Sequence, residues 1–131
     1  MTQRAWDNAL TTEKKAAFTA ACERFIVDVL KPRFLPEIKP TTLNDPVGIL
    51  GRWRGSKYSF ITRYRSGFAD NAREEFDEPF ARLDHAEAHP AEVRFDVMWR
   101  RHTGQWWRLH ADVPFEDAPR LIETDGRSRP P

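Results

Sequence analysis

Apolar residues first recur at helical spacing. Phe18, Ala21, Cys22, Phe25, Ile26 and Val29 form one broad stripe within 12–31. A period near 3.6 predicts an amphipathic helix whose stripe packs on the rest of the fold. Thr11 or Thr12 offers an N-cap hydroxyl, and Glu13 suits the positive end of the helix dipole. The expected end is Lys31, because the residue before Pro32 is pushed away from helical angles. Trp6 and Leu10 read as a short turn ahead of this helix. Pro32, Pro36 and Pro40 then predict a stiff connector over 32–42.

The period next falls to two. Val47, Ile49, Gly51 and Trp53 alternate with Gly48, Leu50, Arg52 and Arg54. After Gly55-Ser56, Tyr58, Phe60, Thr62 and Tyr64 alternate with Ser59, Ile61, Arg63 and Arg65. Two such runs around a Gly-Ser pair predict a β-hairpin. The polar, acidic run 66–78 reads as a loop, and 80–85 as a third strand. Val93, Phe95, Val97 and Trp99 alternate with Arg94, Asp96, Met98 and Arg100, which predicts a fourth strand. His102-Thr103-Gly104 is a turn into a fifth strand over 105–110. A final helix is expected to open at Asp112 or Val113 with Pro114 in its first position, where the missing N–H does no harm. Phe115, Ala118, Leu121 and Ile122 would face inward, with Pro119 straining the helix from inside and 126–131 a frayed tail. Helix, five strands, helix, without β-α-β alternation, predicts an α+β fold: an N-terminal helix packed on an antiparallel, meander-like sheet of about five strands, with a short C-terminal helix. Nothing divides 1–131 into more than one domain.

Composition narrows the class. At 131 residues and 40% hydrophobic, with five Trp and nine Phe, the chain can build a core and is not a disordered segment. One cysteine excludes an internal disulfide and a cysteine-based zinc site. No apolar run approaches the ~20 residues of a membrane span, and no basic start leads into a short apolar stretch. The expected compartment is the reducing cytosol.

Four stretches carry a family resemblance: RYRSGF at 63–68, EEFDEPFARLD at 74–84, FDVMWRRHTGQWWRLH at 95–110 and RLIETDG at 120–126. The chain resembles, from about Phe25 to Gly126, a family of small bacterial proteins of unknown function. The resemblance implies a single small α+β domain in the bacterial cytosol and assigns no activity, ligand or site residue. Asp117-Ala118-Pro119 departs from the unbroken helix of the relatives.

The net charge of +1 hides blocks. Residues 47–69 carry five basic and no acidic side chains, 70–92 two and eight, and 93–110 four and one. Arg52, Arg54, Arg63 and Arg65 should share the hairpin face opposite Trp53, Tyr58, Phe60 and Tyr64, with Lys57 at the turn. Arginines in a row beside aromatics suit phosphate or carboxylate and can track a nucleic-acid backbone. The architectural alternative is that Glu74, Glu75, Asp77 and Glu78 neutralise them across strands. Around the second hairpin, Trp106, Arg108 and His110 should point outward if Trp107 and Leu109 point inward, making a stacking site for a planar ligand. The alternative there is that Trp106 packs under the last helix and His110 is tied down at the strand end.

Other chemistry has weaker support. His85, His89, His102 and His110 fit no metal motif, so no metal is expected. Gly48, Gly51 and Gly55 fit no phosphate loop, no serine sits in a nucleophile elbow, and no cofactor is expected. Cys22 lies on the apolar stripe. The reading is a non-enzymatic domain that binds an anionic partner, nucleic acid foremost, through Arg52, Arg54, Arg63, Arg65, Trp106, Arg108 and His110. One alternative is a small hydrolase or nuclease-like enzyme using the acidic residues of 74–78 with His102 or His110. Another is a protein-interaction or homodimerisation module working through an open sheet edge or an exposed Trp.

Overall fold

A computed structural model describes residues 10–35, 44–66, 74–86, 93–101 and 103–125. Trp6, His89, His102, most of the proline connector and the tail lie outside the described residues. Thr11 caps the first helix, α1 (Thr12–Phe25), its hydroxyl accepting from the Lys14 N–H at 3.1 Å. The helix does not stop at Lys31. It widens into a π turn over Ile26–Leu30 and resumes as α2 (Lys31–Phe34). Pro32 has no N–H to give, and its ring crowds the carbonyl four residues back. In the π turn the Lys31 N–H reaches Ile26, five residues back, so the chain is already wound wider where that ring arrives.

The same turn rephases the apolar stripe. Cys22, Ile26, Leu30 and Phe34 are buried, with Phe18 partly so, whereas Ala21 is exposed. Steps of four residues from Phe18 to Phe34 would drift by roughly 160° around a regular helix. The wider turn removes part of that drift and keeps both ends of the ladder on the core.

Five strands follow: β1 (Asn44–Arg54), β2 (Lys57–Ser66), β3 (Glu75–Ala86), β4 (Arg94–Arg100) and β5 (Trp106–Pro114). They form one antiparallel sheet in meander order, so the fold is α+β as expected. Gly55, at φ 61°, makes the first hairpin turn. Of the stretch 66–78 read as a loop, Ser66 ends β2 and 75–78 are the start of β3, while 67–73 lie outside the described residues. The β3 carboxylates stand directly opposite the basic residues of β2, Asp77 against Arg63 and Glu75 against Arg65, which holds a polar segment in a sheet. Pro79 is accepted in this central strand because the β2–β3 register is irregular beside it, between Phe60 and Ile61.

The last helix also starts later than expected. β5 runs on to Pro114, and α3 spans Ala118–Thr124. Pro119 therefore falls in the first turn, where no intrahelical N–H is needed, and it does not kink the helix.

One face of the sheet carries Ile49, Tyr58, Phe60, Leu83, Phe95 and Val97 under the ladder of α1 and α2 and under Ala118 and Ile122 of α3. Phe18, Phe95 and Phe115 stack mutually and tie α1, β4 and the turn before α3 together. Trp53 donates to the Thr19 hydroxyl at 2.7 Å, and Lys15 reaches the Gly55 carbonyl, clipping the hairpin to α1. No helix among the described residues is long and apolar enough to cross a membrane. Among the described residues no helix covers the other sheet face, which carries the charge.

Candidate functional site

The open face gathers the odd-numbered residues of β2, with Arg52 and Arg54 of β1 and their partners on β3 and β4. Asp77 accepts two hydrogen bonds from the Arg63 fork, at 2.8 and 3.2 Å, and a third from Arg52 at 3.2 Å. The Arg63 hydrogen bonds, more than any other cause, hold the Asp77 carboxyl below its usual range; partial burial opposes them and Arg52 adds to them. Glu75 lies 3.9 Å from Arg65, and Glu78 takes a 2.7 Å ion pair from Arg100. Arg108 is 60% exposed and stands 3.7 Å from Asp96.

The basic block is thus partly neutralised. Arg63 is fully engaged, and Arg52 shares a carboxylate while its side chain stays 55% exposed. Arg54 and Lys57, opposite each other at the hairpin end, are exposed and have no carboxylate partner among the described residues.

These cations line a groove of about 260 Å³ that crosses the open face. Arg52, Arg54 and Lys57 stand on the hairpin side. Ile61 and Pro79, paired across β2 and β3, make an apolar part of the floor, beside Ser59 and the Asp77 carboxylate. On the far side are Arg82 and Trp106, the guanidinium of Arg82 lying 4.3 Å from the centre of a Trp106 ring. Asp84 grips the Arg82 fork from behind at 2.9 Å, and both side chains are mostly buried. Arg82, Ile61 and Pro79 were not among the residues singled out from sequence. The alternation of Ala81 and Leu83 with Arg82 and Asp84 is the signal that would have found them.

His110 is a correction. It does not share a face with Trp106 and Arg108. Arg108 pairs with Met98 and His110 with Val97, so Leu109 is an extra residue in β5 and the alternation reverses there. His110 stands opposite a core valine and meets Asp125, just past α3, at 3.0 Å. Trp107 is not inward and covered; it is 49% exposed, with Arg101 5.2 Å from its ring.

The acid–base constellation does not assemble around His110. His110 is in register with Leu83 through Val97, six positions along β3 from Asp77 and roughly 20 Å away along the strand. His102 lies outside the described residues. No group of three His, Cys, Asp or Glu side chains could hold a metal among the described residues. Both sheet edges are interrupted, β1 by an irregular register after Pro46 and β5 by its bulges and by Asp112 at φ 60°, which blunts edge-to-edge pairing. No curated protein and no solved structure is significantly similar to the chain. A family sequence model does match, over residues 10–129, and its description is a domain of unknown function, DUF3024. With nearly its whole length inside that match, the chain belongs to the DUF3024 family.

Proposed function

We propose that this domain binds nucleic acid through the open face of its sheet, in the bacterial cytosol that the sequence resemblance implies. The observation that carries the reading is the surplus of positive charge in the groove. Arg54 and Lys57 have no carboxylate partner among the described residues, and exposed Arg52 holds only a share of Asp77. Cations on a sheet face beside an aromatic ring give a backbone-tracking surface. Arg63, Arg65 and Arg108 flank the groove as secondary contacts.

The test is a fluorescence anisotropy titration with labelled DNA and RNA oligonucleotides over a series of salt concentrations. Three phosphate contacts, to Arg52, Arg54 and Lys57, give an expected slope of log K against log salt of roughly −2 to −3. Reversing charge at Arg54 and Lys57 should abolish binding. Reversing Arg63 and Arg65, which already have carboxylate partners, should only weaken it. No binding to any oligonucleotide at low salt would overturn the proposal.

A further inference from the structure

We infer that the strand is taken single, with one of its bases lodged in the groove against Trp106; this rests on the nucleic-acid reading above. The groove is not merely a row of cations. Its lining includes Ile61 and Pro79, an apolar pair in the middle of a charged sheet face, beside Ser59 and Asp77. A phosphate makes no apolar contact with that pair. A base brings an apolar, polarisable face that does match it.

Trp106 is prepared for the same task. Asp84 holds the Arg82 fork, and Arg82 in turn covers one face of the indole, so the ring stands in a fixed pose before any ligand arrives and a base would take its other face. A platform fixed in advance loses little freedom on stacking a base. A duplex cannot use it, because base faces are locked inside the stack and only edges and phosphates are presented. At about 260 Å³ the groove has room for one base. The exposed cations Arg54 and Lys57 stand at the hairpin side of the groove, where the phosphates flanking that base would lie.

The experiment compares four ligands on the whole protein at one salt concentration. They are a single-stranded oligonucleotide, the same strand with abasic sugars at every position, the matching duplex, and adenosine monophosphate as competitor. The intact single strand should bind about tenfold tighter than the abasic strand and the duplex, the value of one stacked base. Adenosine monophosphate, with one phosphate, should compete only at about a hundredfold higher concentration. Trp106→Leu should erase the preference for bases and leave the salt slope unchanged, while Trp106→Phe retains most of it. Equal affinity for the intact and abasic strands, or for single strand and duplex, overturns the inference and leaves polyanion binding standing. Competition by the mononucleotide on equal terms makes the ligand a free nucleotide and overturns it too. Failure of every strand and the duplex to bind overturns the nucleic-acid reading itself. The abasic comparison needs no protein variant, so it decides the matter even if Trp106→Leu does not fold.

Discussion

Tyr58 and Gly51 show how tightly single residues are fixed under the helices. Tyr58 is buried across the sheet from Trp53, stacked edge-on with Trp53 and Phe60, and its phenol lies directly over Gly51. A Cβ at Gly51 would overlap the Tyr58 hydroxyl and the ring carbon that bears it, whereas one at Gly48 meets nothing within 4 Å. Gly51→Ala should therefore cost about 3 kcal/mol through overpacking. Gly48→Ala should stay within about 0.5 kcal/mol of the parent. Urea unfolding midpoints of the two variants check the contrast. Cys22, in the same layer, has its thiol pushed up to about 12 by burial, with the Glu23 charge adding to it. It should resist thiol reagents at pH 8 in the folded protein and react once urea exposes it, which mass spectrometry would read directly.

At the scale of elements, the clip between the hairpin and α1 ties the sheet to its helix layer. Trp53 donates to Thr19 and takes the Lys15 ammonium 5.2 Å from its ring. Trp53→Phe removes the donor but keeps most of the packing, so the expected loss is about 1–2 kcal/mol in unfolding experiments. Affinity for an anionic ligand should not change, because Trp53 is on the helix-covered side. The elements themselves were largely legible in the sequence: α1 from its stripe and Thr11, the hairpin from alternation around Gly55, β4 from its unbroken period of two. What escaped has a common cause. The start of β3 looks like a loop because its carboxylates belong to a ladder whose other half lies on β2, and a local window contains only one half. The π turn answers Pro32 and the core at once, and Leu109 is one extra residue. Both are invisible to a reading that assumes fixed periods, yet the bulge is what sends His110 to the far side from Trp106.

Across the whole molecule, charge is arranged as facing blocks rather than as a uniformly basic surface. The blocks make stability depend on acid. Asp77 has a carboxyl held below its ordinary value, so its contribution is fully present above about pH 4, the unfolded range, and is lost as pH falls through the lower folded value. Between pH 6 and pH 3 the parent should lose more thermal stability than Asp77→Asn, which has nothing to protonate there; melting curves at both pH values test this. The basic block is only partly answered by this ladder, which is how +5 in one segment and −6 in the next can still leave cations exposed at the hairpin end. Asp77 also acts as a resident counter-anion. If the proposed nucleic-acid binding holds, an incoming phosphate at Arg52 would not meet a bare charge but would displace Asp77 from it, while Arg63 keeps its own two-pronged hold. Exchange of this kind would discriminate among anions by geometry instead of gathering any of them by attraction, and on the proposed function it would make Arg52 the selective member of the trio and Arg54 and Lys57 the greedy ones.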